Sequence, residues 1–468
     1  MQKNNTAVQA GKPNKLADWP IRTLILSMGM PMVLSMVLQA VYNIVDTIFV
    51  SHMENGATAV LALTDSYSIQ LLIVAVGVGT GIGINALLSK TLGERNFEKA
   101  SCIAGNGIFL AVCIYAVFLL FGIFGTRAFI GMQANGNALR QEMGEQYLRI
   151  CCIGSFGSIG YTVYERFLQG TGRTNLSTIA QITGALLNII LDPIFIFGLD
   201  MGVTGAAAAT VVGQLASLGM AMLFHYRWDK EIRRDWKHIR PQWGLIRGIY
   251  AIGIPAAIMQ GLLSVMVLFV NLVFGTQGDM AEPLQAAYGI YYKIQQFVFF
   301  AGFGMNNAMV PILSYNYGAR KPERVKKTVK LSIFTAIGIM ILGFAAFELI
   351  PDVLLELFDA SETMLSIGTT ALRIIGTHFL IAGINVVAMS VYQAVGDPLY
   401  SLLSAVTRQL VVLLPAAWLL ARTGRLELVW LAFPIAELAA LAMSTIFLRK
   451  TLRTAECRMA DDDYGEVV

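Results

Sequence analysis

Twelve long apolar stretches, joined by short polar turns, leave this chain little choice of fold. They lie near residues 23–51, 59–89, 100–124, 146–170, 176–199 and 203–226, then 247–275, 284–317, 329–351, 367–394, 400–421 and 427–448. Inside hydrocarbon a backbone must satisfy its own hydrogen bonds, so each stretch predicts an α-helix, and about 20 residues suffice to cross. Several are longer, so those helices should tilt, bend or project beyond the bilayer. Charged residues are 14% of the chain, against roughly 25% in soluble domains. The expected class is an all-α polytopic membrane protein. Residues 1–20 are polar and the first apolar run is too long for a signal-peptide core, so no cleaved leader is expected.

Lys and Arg set the expected orientation. The N-terminal tail, the turns near 90–99 and 320–330, the link at 227–247 and the C-terminal tail carry most of the 34 basic residues. Alternate turns hold only Arg127, Arg140, Arg422 and Arg425. By the positive-inside rule both termini are cytoplasmic in a multi-pass protein of the cell inner membrane. The two halves also repeat. GMP at 29–31 recurs as GIP at 253–255, YLRICC at 147–152 as ALRIIG at 371–376, and LQGTG at 168–172 as YQAVG at 392–396, each 224 residues on. An even number of spans per half makes these parallel repeats, two six-helix lobes related by pseudo-two-fold symmetry, a build that suits rocking about a central cavity. The expected division is a cytoplasmic tail at 1–22, a lobe at 23–226, a cytoplasmic linker at 227–246, a second lobe at 247–448 and a cytoplasmic tail at 449–468.

Chemistry concentrates in the run ALLNIILDPIFIFGLDMGVTGAAAAT at 185–210. Asn188 and Asp192 are four apart, so they share one helix face, and Pro193 frees a carbonyl beside the carboxylate. A charge in a membrane helix costs a few kcal/mol and marks an ion or substrate path. The plainer reading, an aspartate solvated by headgroups, fits less well because residues 194–198 stay apolar. Asp46 stands near the outer end of the first span, Asp192 in the outer half of the fifth, and Thr210 a turn or two into the sixth from the same side. Two such carboxylates repel when both are ionised, so the pair favours holding a proton or a desolvated cation. Pro31 is a candidate hinge, or a plain kink, one half-span before Asp46. Lys293, His378, Met36, Tyr42 and Gln39 are candidate cavity-lining residues. For Lys293 the alternative is snorkelling, and for His378 simple packing.

Other patterns exclude other chemistry. Cys102, Cys113, Cys151, Cys152 and Cys457 contain no CxxC pair and read as buried thiols, and the four histidines lack metal-ligand spacing, so neither a metal site nor a cofactor is expected. GVGTGIG at 77–83 follows no strand and reads as close helix packing. The basic central link reads as topology and lipid-headgroup contact, without nucleic-acid binding.

The chain resembles the MATE (multidrug and toxic compound extrusion) family over about residues 20–450. The matching pieces are PMVLSMVLQAVYNIVDTIFVS in the first span, SKTLGERNFEKA after the second, QGTGRT after the fourth and DPIFIFGLDMGVTGAAAAT across the fifth and sixth. That resemblance implies two six-helix lobes and exchange of H⁺ or Na⁺ for organic, often cationic, compounds. It implies a cation site of Asp46 and Asp192 with Asn188 and Thr210 as polar partners; the family's fourth-helix asparagine falls on Glu165. The seventh and tenth spans lack the acids of the NorM-like branch, so the chain resembles the MepA-like and DinF-like branch. The expected function is export of small organic compounds, cationic ones foremost, without catalytic residues: a monomeric multidrug efflux antiporter, a secondary active transporter in membrane lipid. Two rivals stand: a lipid-linked oligosaccharide flippase of the same superfamily, against which an acidic first lobe argues, and a membrane-embedded enzyme, for which no nucleophile–base or metal constellation is present.

Overall fold

The computed structural model describes residues 15–53, 55–134, 136–233, 236–356 and 362–460. Among these every regular element is helical, and the helices form twelve spans. In the first lobe these are α1 (Ile21–Ser51), α2 (Gly56–Gly93), α3 (Phe97–Phe124), α4 (Ala138–Ile153 and Phe156–Gly170), α5 (Thr174–Pro193, continued by Ile194–Gly198) and α6 (Gly202–Trp228). In the second they are α7 (Trp243–Gly275), α8 (Ala281–Gly318), α9 (Pro322–Leu349), α10 (Glu362–Gly376 and Phe379–Val395), α11 (Pro398–Ala421) and α12 (Leu426–Val429 and Ala432–Ala460). Ten helices are long and apolar enough to cross a bilayer, and the two parts of α10, bent by 51°, make an eleventh. The twelfth, α4, is broken at 154–155 and carries Glu145, Arg149, Glu165 and Arg166, which lowers its hydropathy.

Proline does different work in different helices. α1 runs unbroken through Pro31. After Pro193, whose ring removes a donor, α5 widens into a π-helical turn over Ile194–Gly198, closed by Leu199 N–H donating to Ile194 O at 2.8 Å. A longer π turn, Thr407–Leu413, occupies α11. The five cysteines are all free thiols, but only Cys151 and Cys152 are buried; Cys113 and Cys457 are exposed and Cys102 is half-buried, contrary to the reading of all five as buried.

The lobes meet only along part of their length, and glycine is what lets them meet. A Cβ on Gly79 would stand 2.6 Å from Gly253 O, and one on Gly83 2.1 Å from Ile249 O, so α2 and α7 touch backbone to backbone. Gly77 and Gly81, on the opposite face of GVGTGIG, make room for Thr162 and Arg166 of α4. α8 docks similarly, with Gly304 against Val33, Gly318 against Lys90 O, and Met305 against Gly29. All these contacts lie in the halves nearer the two termini. There one core is shared, with Ile84, Leu88 and Ile249 packing against Met305, Ile312 and Tyr315. In the far halves the cores separate: Val50, Tyr147, Ile196 and Val203 form one, and Phe274, Tyr288, Phe347 and Trp430 another. Gly261 and Gly289, in the far halves of α7 and α8, face open space. The molecule is therefore held by one shared core on the side of its termini, while its far halves carry separate cores.

Two further pieces hold the closed side. Arg324 donates to the carbonyls of Leu16 and Trp19, 3.0 Å each, and to Asn316 Oδ1 at 2.7 Å, fixing the short helix Lys15–Asp18. Leu16 is fully buried against Gly172 of the α4–α5 turn. The link between lobes lies along α3, where Glu98 pairs with His238 at 2.9 Å and Arg233 at 3.1 Å, and Asn106 accepts from Gln242 N–H at 2.8 Å. Arg234 of that link falls outside the described residues.

Candidate functional site

The far half of the first lobe holds the candidate site. α5 and α6 approach so closely that a Cβ on Gly184 would meet Ser217 Oγ at 1.9 Å, and one on Gly213 would meet Gly184 O at 2.7 Å and Asn188 Cβ at 3.1 Å. That contact buries Asn188 and Asp192 on the inner face of α5, at 3% and 0% exposure. The helical i, i+4 spacing brings them together: Asn188 Nδ2 donates to Asp192 Oδ1 at 3.2 Å. Gly205 packs against Phe195 and Ile196 farther along, so Thr210, between Gly205 and Gly213, lies at the depth of the Asn188–Asp192 pair.

α1 supplies the second carboxylate. It lies along α5 through Ser35 donating to Thr178 Oγ1 at 3.1 Å and Gln181 donating to Gln39 Oε1 at 3.1 Å. Continuing that register brings Asp46 opposite Asn188, a turn before Asp192, close enough for its charge to act on Asp192 and on Tyr42. Three oxygens here are buried without a hydrogen-bond partner: Asp46 Oδ1, Asn188 Oδ1 and Asp192 Oδ2. Among the described residues neither carboxylate forms a Lys or Arg ion pair. Buried acceptors left so are costly, about 1–3 kcal/mol each and more when charged. Two acids and an amide thus lie at neighbouring depths of the first lobe, with Thr210 at the same level along α6.

Glu165 is not brought into this group. Its carboxylate accepts from Gln169 Nε2 at 2.9 Å and lies 3.8 Å from Arg166, which in turn donates to Gln169 Oε1 at 2.7 Å. Gly157 packs at Gln214–Leu215 and Gly160 at Leu218, so α4 and α6 run in register here. Extending that register sets Glu165 roughly 15 Å along the axis from the level of Gly213. Gln39 is exposed, Met36 and Tyr42 half-buried, and Lys293 exposed on α8 beside Tyr292. His378 is 4% exposed, its Nδ1 2.5 Å from Ile375 O and its ring against Phe299 and Phe379, which is packing within the second lobe.

Residues that spacing did not single out complete the surroundings. The charge of Asp46 also reaches Tyr147 and Cys151 of α4, and Tyr147 lies beside Gln70 of α2. Only the i, i+4 spacing of Tyr147 and Cys151 hinted at a shared face. On the outer edge Arg140 grips Asp65 with two bonds, 2.6 and 2.5 Å, tying α4 to α2.

Two six-helix lobes that share a core at one end and keep separate cores at the other have the build of a secondary transporter. Its family can be stated directly: the chain belongs to the MatE family, whose model matches residues 31–194 and again 255–419. Both lobes are thus covered. Among relatives, the multidrug export protein MepA of Staphylococcus aureus (strain MRSA252) is 25% identical over 443 residues, covering 93% of this chain and 96% of that one. MepA of Staphylococcus haemolyticus (strain JCSC1435) is 26% identical over 390 residues, 83% and 85% of the two chains. In fold the chain matches the outward-facing conformation of a multidrug resistance MATE family transporter of the MOP superfamily, with a TM-score of 0.88, 23% identity, and coverage of 96% and 99%. MATE in the straight conformation gives a TM-score of 0.88 at 24% identity, over 96% of this chain and 99% of that one.

Proposed function

We propose that this chain is a multidrug efflux antiporter of the cell membrane, exporting small organic compounds, cationic ones foremost, as H⁺ or Na⁺ moves inward through the first lobe. The observation that carries the reading is that Asp46 Oδ1, Asn188 Oδ1 and Asp192 Oδ2 are all buried without a hydrogen-bond partner while the charge of Asp46 acts on Asp192. Thr210 supplies a further oxygen at the same depth. With both termini cytoplasmic, as the Lys and Arg bias has it, the parted side faces outward. The site is then reached from outside, where the driving ion enters. Pro31 lies two residues from Gly29, where α1 meets Met305 of the other lobe. Occupancy of Asp46 is thereby linked along one helix to the seam that must open.

The energetics are sufficient. A one-unit pH gradient supplies about 1.4 kcal/mol per proton and a 100 mV potential about 2.3 kcal/mol per charge. One proton inward per neutral compound outward therefore sustains a gradient of several hundredfold, at about 1.4 kcal/mol per tenfold. Coupling needs the compound to bind the ion-free and ion-loaded states unequally, which a change of charge at the site provides. The test is reconstituted full-length protein in vesicles with an imposed pH or Na⁺ gradient. Asp46→Asn and Asp192→Asn should each abolish gradient-driven ethidium transport at equal incorporation. Near-normal transport by both variants refutes the assignment.

A further inference from the structure

The segment leading into each lobe is clasped by the third helix of the other lobe. Ahead of α7, the link lies on α3: Gln242 N–H donates to Asn106 Oδ1 at 2.8 Å, Asn106 Nδ2 donates to Arg240 O at 3.4 Å, and a Cβ on Gly105 would stand 2.1 Å from His238 O. Ahead of α1, the short helix Lys15–Asp18 lies against α9, where Arg324, in the first turn, donates from Nη2 to Leu16 O and Trp19 O. The repeat accounts for the likeness, since a shift of 224 sets residues 15–19 on 239–243. The link is covalently continuous with both lobes and cannot travel far from its seat. The helix ahead of α1 is joined directly to the first lobe alone.

The contacts of that helix fall on different lobes. Leu16, fully buried, sets its side chain against Gly172 of the α4–α5 turn, where a Cβ would stand 3.3 Å from Leu16 Cγ. The carbonyls of Leu16 and Trp19, at a helix end that leaves them no partner within the helix, go to Arg324 of the second lobe. Asn316 Oδ1, near the end of α8, accepts from Arg324 Nε at 2.7 Å and aims the guanidinium. Tyr315, 7% exposed, stands within reach of the charges of Asp18, Arg324, Arg95 and Glu231, so the helix, α9, the α2–α3 turn and the link meet at one place. A four-residue helix is marginal by itself in water, so this one forms where it is docked.

We propose that the helix Lys15–Asp18 is a releasable strap across the seam on the side of the termini, with Arg324 as its latch. The strap holds the lobes together at that end and comes undone each time the seam opens. A transporter whose two sides open in turn, the reading on which this strap rests, must part α9 from the α4–α5 turn in every cycle. Gly172 then moves with the first lobe and Arg324 with the second. Hydrogen bonds of this kind reach no farther than about 3.2 Å, so a slight parting breaks both bonds to the strap. Leu16 alone then has to keep a helix whose last carbonyls have lost their donors. Arg324 therefore sets how readily this side opens, without touching the ion or the exported compound.

The test is the rate of maleimide labelling of the full chain in lipid nanodiscs, with the five cysteines replaced and Ala308→Cys added. Ala308 is fully buried, one turn beyond the place where Gly304 meets Val33 of α1, so a thiol there reacts as the seam parts. Arg324→Ala should raise the rate about tenfold, as expected for losing a partly exposed bond from a charged donor. Leu16→Ser, which cuts the strap at its first-lobe end, should raise it similarly; should L16S fail to fold, Leu16→Ala makes the same cut. Because the two ends act in series, the double variant should label no faster than the faster single. Lys327→Ala, at an exposed lysine three residues along α9, should leave the rate unchanged. No gradient and no compound is used, so the outcome is independent of the roles given to Asp46 and Asp192. A rate in R324A that matches the parent, or a double variant whose rise is the product of the two singles, overturns the proposal.

Discussion

Gly83→Ala should push the transporter out of the state described above. The added Cβ would stand 2.1 Å from Ile249 O and 2.9 Å from its carbonyl carbon, both main-chain atoms of a helix that cannot turn aside. Ordinary carbon–oxygen contact is about 3.3 Å, so α2 and α7 must part by roughly 1 Å. Overpacking of this kind costs about 1–3 kcal/mol, and it is felt only while the seam is closed. The ratio of closed to parted seams should therefore fall by roughly 5- to 150-fold. Spin labels at the exposed positions Phe97 and Leu399, one in each lobe, read the change on a background with the five cysteines replaced. The distance distribution should gain a longer component. Gly219→Ala, at a position with nothing within 4 Å, serves as the control and should leave it unchanged. A folded G83A protein whose distances match the parent refutes the argument that backbone contact at this glycine sets the closed seam.

Other perturbations separate structural from functional charges. Arg140→Ala strands a 5%-exposed Asp65, while Asp65→Asn leaves an arginine able to turn to solvent; melting of detergent-solubilised protein should fall more for R140A, by about 1–3 kcal/mol in excess. Glu165→Gln should leave the pH profile of vesicle transport in place, since Arg166 and Gln169 rather than Asp46 or Asp192 face it; a shifted midpoint contradicts the register that separates them. Arg324→Ala removes both bonds to the N-terminal helix, so trypsin should cut at Lys15 faster in the variant, and equal rates would show that Leu16 alone holds the helix.

The sequence was most informative where one residue type answers to one physical demand. Twelve apolar runs dictate twelve helices because hydrocarbon offers the backbone no other partner. The 224-residue repeat implies two like lobes. The i, i+4 spacing of Asn188 and Asp192 is a local property, so their hydrogen bond follows from helix geometry alone. Even GVGTGIG announced close packing, since only a helix without side chains on one face admits a neighbour's backbone.

What depends on which helices lie beside which was settled by the fold. Asp46 and Asp192 are 146 residues apart, and only the packing of α1 on α5 brings one charge to bear on the other. Glu165 follows the same logic in reverse: a matching motif position, yet paired to Arg166 because α4 carries it toward the termini. Arg324 went unnoticed as one basic residue among several, since its partners Leu16 and Trp19 lie 308 and 305 residues away in the chain. The side on which the lobes close is likewise tertiary. Composition and periodicity fix which face of each helix is apolar, whereas a seam belongs to pairs of helices, and pairing is written in contacts between residues far apart in the chain.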